Sequence, residues 1–158
     1  MACAPAPEPS APRIAEAETL AEQVIASATI REHIVGGSVG NVLAEYCPAF
    51  DFDGARFEGD ADAVAARAVA AGELPPGTPS AEVLAAANAE AIGRGFAFLA
   101  LRQLDQFGLG PDASSKAHCD VAVREHAAAT PTGRYLIPVA GPAAALPHRM
   151  SETPESPA

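Results

Sequence analysis

The chain has 158 residues, with twenty Asp and Glu against ten Lys and Arg, for a formal net charge of −10. That balance repels phosphate backbones and anionic lipid surfaces, so neither nucleic acid nor a membrane is an expected partner. No run of the chain approaches the roughly 18 apolar residues that span a bilayer.

The 49% hydrophobic content overstates the core, because about half of it is alanine and Leu, Ile, Val and Phe make up about a fifth of the chain. So thin a supply of large apolar side chains calls for close alanine-mediated helix packing or for burial against a partner. A homo-oligomer or a protein complex is therefore expected. The amino-terminal stretch lacks both a charged region and an apolar run, so no secretory signal is expected. Cys47 and Cys119 lie far apart and suggest no disulfide framework, which makes a reducing cytoplasm the expected compartment.

Residues 1–12 are rich in proline and read as a disordered tail, 13–140 as a single helical domain, and 141–158 as a second flexible, Pro-rich tail. The first helix is expected from Arg13 to Val35, on a stripe that includes Ile14, Ala21, Val24 and Ala28. Gly36-Gly37 should break it, with Ser38 capping a short second helix through Tyr46. A glycine-rich turn feeding a helix has the geometry to hold an anion. This one lacks the Lys-Ser/Thr ending of a phosphate loop, and an ordinary break between helices is the simpler reading.

Phe50 to Phe57 alternates phenylalanine with polar residues around Asp53-Gly54, the signal of a short hairpin or a structured loop. The run from Asp51 to Asp62 has the length of a calcium loop, but Ala55 and Arg56 occupy positions that need a ligand and a glycine. No metal is expected there. A weak alanine-rich helix follows, from about Asp60 to Ala71.

Thr78 to Gly108 is the longest helical pattern in the chain and is expected to form a central helix. Gly108 suits the left-handed position after its end, with Leu109 packing back on Leu104. Phe96 to Leu101 is apolar on every side, so no single packed face can bury it. Gly93 and Gly95 each cost up to about 1 kcal/mol in a helix relative to alanine, which points to another helix or a ligand approaching the backbone there. Arg94 has Glu90 four residues before it. Arg102 either lines a pocket that receives an anion or extends over its own stem to water.

A last helix should start at Asp112 or Ser114 and end near Ala129. His118, Cys119 and His126 lie on it, but no two of them are three or four residues apart, so this helix alone cannot chelate a metal. Cys119 near the helix start is a candidate nucleophile, with His126 or His33 as its base, since His118 diverges from it by about 100°. Pro138 limits the apolar piece 134–139 to an edge strand or a packed arm.

These readings converge on an all-α small bundle of four or five helices around a central buried helix, with a short hairpin or loop insert near residues 50–58. The expected function is a helical accessory subunit or a binder of an apolar or anionic small molecule. The alternatives are a small enzyme with a Cys119/His126 site in the same cavity, and a structural component of a larger assembly. The expected site is Gly93, Arg94, Gly95, Phe98 and Arg102, facing the helix of His126. No motif calls for a cofactor.

Overall fold

The computed structural model describes residues 11–88 and 90–140, with side chains described for all of these except 11–15, 17, 18 and 90–94. The expected tail 141–158 and residues 1–10 of the expected tail 1–12 lie outside the described residues, while Ala11 and Pro12 belong to the first helix. What is described is mostly helical, as the periodicity predicts. The helices are α1 (Ala11–Ala26), α2 (Ala28–Tyr46), α3 (Gly54–Gly59), α4 (Ala61–Ala70), α5 (Ser80–Asn88), α6 (Glu90–Gln106) and α7 (Ser115–Ala127). Strands β1 (Phe50–Phe52) and β2 (Leu136–Pro138) form a small antiparallel sheet.

The first helical break falls at Ser27 and not at Gly36-Gly37. The Ser27 hydroxyl accepts from Ile30 N at 3.2 Å and donates to a carboxylate oxygen of Glu73 at 2.7 Å. Glu73 also accepts from Thr29 N at 3.2 Å, so of the first amides of the new helix one is satisfied by its own N-cap and one from a distant loop. Those hydrogen bonds, Ser27 first among them, hold the Glu73 carboxyl below the usual carboxylate range. No local pattern announces a carboxylate that braces the Ser27 cap from 46 residues away.

The glycine pair stays inside α2 because other chain segments press on it. A Cβ at Gly36 would lie 2.7 Å from the Pro131 carbonyl carbon, and one at Gly40 would lie 2.5 Å from the Thr132 oxygen. A Cβ at Gly37 would collide with the Phe57 ring. The conformational cost of three glycines in a helix, up to about 1 kcal/mol each, is offset by this close approach. The possible anion-holding turn at 36–41 is therefore a packed helix face. α2 is the hub of the molecule, packing on α6, α4, α7, α1 and both strands.

The strand at 50–52 exists, but its partner is remote. Phe50 pairs with Pro138, Asp51 with Ile137 and Phe52 with Leu136. Asp53-Gly54 opens a helix in place of a hairpin turn: the Asp53 carboxylate accepts from Arg56 N at 3.0 Å and caps α3.

The stretch expected as one central helix is described as α5 and α6, on either side of residue 89, which lies outside the described residues. Its end matches expectation, with Gly108 at φ 75° and Leu109 N donating to Leu104 O at 2.9 Å. Its surroundings do not. Among its described side chains, α6 buries Phe96, Ala100 and Leu104, while Phe98 and Leu101 are 61% and 65% exposed. The all-round apolar run is thus covered by the chain on one face and left open on the other.

Two apolar clusters make up the core. One gathers Val24, Ile30, Val64, Leu74, Val83 and Phe96 from α1, α2, α4 to α6 and the loop between α4 and α5. The other gathers Val39, Leu43, Phe50, Leu104, Val121 and Leu136. Inside the second, Cys47 and Cys119 form a disulfide across a sequence separation of 72. This corrects the expectation of unpaired cysteines: the C-cap of α2 and the second turn of α7 meet because α7 packs on α2. With it goes the reason for expecting a reducing compartment. No helix among the described residues is long and apolar enough to cross a membrane.

Candidate functional site

The strongest polar constellation lies where α2 meets the α3–α4 corner. His33 is on α2, Phe57 on α3, Asp60 between α3 and α4, and Tyr135 just before β2. The β1–β2 register holds this last segment in place, because Asp53 N donates to Tyr135 O at 2.8 Å at the end of the ladder. The His33 ring stacks on Phe57 with centroids 4.3 Å apart and planes 8° from parallel. Tyr135 stands edge-on to both rings.

Hydrogen bonds then fix the protons. The Tyr135 hydroxyl donates to the Asp60 carboxylate at 2.9 Å, which uses its only proton. Its oxygen lies 3.2 Å from His33 Nδ1, so that nitrogen must carry a hydrogen and donate it to the tyrosine oxygen. Burial pushes the His33 ring below its ordinary pKa of 6.5; Arg134 and Arg67 act in the same direction, against Asp60 and the Phe57 backbone. Burial and the bond to Asp60 push Tyr135 up to about 12. A neutral His33 with its proton on Nδ1 presents a bare lone pair at Nε2. That atom is buried and has no hydrogen-bond partner, a costly state for a side chain only 8% exposed.

His33 lines a groove of about 490 Å³ together with Thr29, Glu32, Arg67, Pro131 and Arg134. Arg134 lies over the Tyr135 ring, its guanidinium carbon 5.3 Å from the centroid. Arg67 makes no ion pair or hydrogen bond through its side chain among the described residues. On its other side His33 borders an apolar cleft of about 390 Å³ walled by Ile30, Ile34, Phe57 and Val83.

The residues expected to form a site are only partly together. Arg102 lines a neighbouring groove of about 650 Å³ with Leu99, Arg31, Gln106 and Glu125, which shares Glu32 and Pro131 with the groove of His33. Glu125 there is already engaged, by Arg124 at 3.1 Å and by the Thr130 hydroxyl at 2.7 Å. Gly95 faces Ile25 of α1 at an ordinary contact distance, so a neighbouring helix accounts for it. Gly93 and Arg94 belong to the α6 backbone, with their side chains outside the described set. Phe98 projects outward.

His126 is half-buried against the Phe50 ring, 5.3 Å between centroids, and lines none of the grooves above. Cys119 is not a free thiol, so the nucleophile expected there is absent; its sulfur is bonded to Cys47. His118 is buried, with Nδ1 donating to Ser114 O at 2.8 Å. Among the described residues no three His, Cys, Asp or Glu side chains converge on a point that could hold a metal ion.

Sequence reasoning reached His33 only as a remote base and missed Asp60, Arg67, Arg134 and Tyr135. Separations of 102 and 75 residues link Tyr135 to His33 and to Asp60. No spacing rule covers such distances. The available signal was a lone tyrosine between Arg134 and the apolar strand, in a chain with two tyrosines. Comparison with protein-family models, with curated proteins and with solved structures finds no match to this chain.

Proposed function

We propose that the protein is a non-catalytic helical binder of a small molecule, and that its ligand enters the groove between α2, α4 and the segment before β2. The observation that carries this reading is the groove lined by Arg67, Arg134 and His33, a ring whose buried Nε2 has no hydrogen-bond partner. A buried polar atom without a partner destabilises the free protein by about 1–3 kcal/mol, which a ligand can recover on binding. The enzyme reading is weaker, because its nucleophile is held in a disulfide and the Asp60–Tyr135–His33 chain ends on no hydroxyl or thiol. The same disulfide supports maturation in an oxidising compartment in preference to the cytoplasm.

The test is a fragment library titrated into isotopically labelled protein and followed by NMR. Saturable shifts concentrated on His33, Arg67 and Arg134 are expected. Shifts confined to other surfaces, or none at all, would overturn the reading.

A second reading, an accessory subunit that associates through α6, is favoured by the exposure of Phe98 and Leu101 on adjacent turns of one face. Light scattering is then expected to give at least twice 16.0 kDa. A clean monomer at tens of micromolar removes it.

A further inference from the structure

The groove of His33 makes no use of the open face of α6. The large apolar side chains exposed among the described residues are Tyr46, Phe98, Leu101, Val123 and Ile137. Of these, only Phe98 and Leu101 stand one turn apart on a single helix, where they form a continuous apolar strip. Resting on the reading that the chain associates through α6, we propose that the occupant of this face is α6 of a second copy. The two helices run antiparallel about a two-fold axis that passes between Phe98 and Leu101.

The pattern along the helix carries this choice. Positions 94, 98, 101 and 105 are spaced by four, three and four residues, as along one seam of a helix pair. At about 100° per residue they fall within roughly 60° of one another, away from the buried Phe96, Ala100 and Leu104. Along the seam the residues read Arg, Phe, Leu, Asp, so the charge inverts from end to end and the middle is apolar. A two-fold axis midway along it sets position 98 against 101 and position 94 against 105. Phe98 then meets Leu101 of the other copy on both sides of the axis, and Arg94 meets Asp105 at both ends. A parallel pair in register sets Asp105 against Asp105 and Arg94 against Arg94. Charge therefore selects the antiparallel form.

Asp105 is exposed and makes no ion pair or hydrogen bond through its side chain among the described residues, so its carboxylate is open to a cation. The face is also one where a second copy meets little repulsion. The chain carries a net charge of −10, yet residues 94–105 hold two arginines and one aspartate. Ala97 on one edge of the seam lets the backbones approach. Arg102 on the other edge comes beside Phe98 of the second copy, where its stem and guanidinium can cover the ring. The seam is roughly 17 Å long at about 1.5 Å per residue, which puts the contact at the small end of specific interfaces and makes the dimer reversible.

The experiment is sedimentation equilibrium of the full chain over a concentration series, at low and at high salt. The wild type is expected to follow a monomer–dimer equilibrium populated at tens of micromolar. Asp105→Arg sets arginine against arginine at both ends and is expected to weaken the dimer about tenfold. Arg94→Asp is expected to weaken it alike, and the double variant Arg94→Asp/Asp105→Arg to restore it to within about twofold of the wild type. High salt is expected to shrink the gap between the single variants and the wild type. Phe98→Ser, at an exposed position, is expected to abolish the dimer and leave the helical circular dichroism unchanged. If Arg94→Asp does not fold, Asp105→Arg and its salt dependence decide the matter.

A dimer that is dissolved by Phe98→Ser but indifferent to the charge reversals, or not restored by the double variant, overturns the antiparallel register and leaves association through α6 intact. A dimer that survives Phe98→Ser overturns the face. A clean monomer at tens of micromolar overturns both the pairing and the reading on which it rests.

Discussion

The two apolar clusters use similar side chains and are held by different means. The cluster around Val24, Val64 and Phe96 joins helices through valines and alanines, with no cross-link among its members. The cluster around Leu43 and Leu104 has a disulfide at its centre, the two-stranded sheet at its edge and a glycine face of α2 against the 131–132 segment. A chain poor in large apolar residues cannot stabilise both halves by burial alone. Covalent closure and backbone contact make up the difference in one half, and the other relies on close-packed small side chains.

The largest expected effect comes from removing the cross-link. Cys47→Ser, or reduction, should lower the unfolding free energy by roughly 4 kcal/mol, from the chain-entropy value for so long a loop. Urea melts with and without reductant measure it, and an unchanged midpoint would mean that the two halves do not differ in this way. Next comes a matched pair of truncations. Leu43→Ala, fully buried beside the disulfide, should cost about 3–4 kcal/mol, and Leu99→Ala, half-buried against the other cluster, about 2 kcal/mol. The reverse order would invert the comparison.

The boundary between the clusters should respond to pH. The folded pKa of His33 lies below 6.5, so the unfolded chain takes up the proton first. The stability that the neutral ring contributes is full above 6.5 and is lost as pH falls through 6.5 toward the depressed value. Glu73 follows the same sign in a separate window, below 4.5. Tyr135 acts at the other extreme, where stability is lost as pH rises from 10 toward about 12. Denaturant melts of the wild type and of His33→Phe across the mildly acidic range isolate the first effect, and parallel curves would remove it.

The smallest effect is a gain. Ala129, just past the C-cap of α7, has φ 49°, where its Cβ is strained. Ala129→Gly should stabilise the disulfide half by about 0.5–1 kcal/mol, the relief being partly offset by a freer unfolded chain. A loss on thermal melting would show that the Cβ there makes a contact worth more than its strain.

Helical content was readable from period and caps, and the close of α6 at Gly108 was readable residue by residue. What misled was context. Gly36-Gly37 carries a break signal on any propensity scale, yet Pro131 and Phe57 fill the space that side chains would occupy. Phe50 to Phe57 alternates like a hairpin, yet the better partner for 50–52 lies at 136–138. The candidate site failed to show for the same reason. Each of its members is ordinary in its local sequence, and only the packing of α2 on the α3–α4 corner makes His33 an acceptor without a donor.

The bond between Cys47 and Cys119 also gives the chain the topology of a closed ring with two arms. Everything from β1 to the start of α7 lies inside the ring, including the exposed Pro75-Pro76-Gly77 link. A protease that cuts that link produces two chain ends but one molecule, because both fragments remain joined through sulfur. The pieces stay at an effective concentration set by the tether, so the helices on either side of the cut can remain docked. For this fold, survival of a backbone nick becomes a property of the oxidation state, and reduction turns a silent cut into a dissociation.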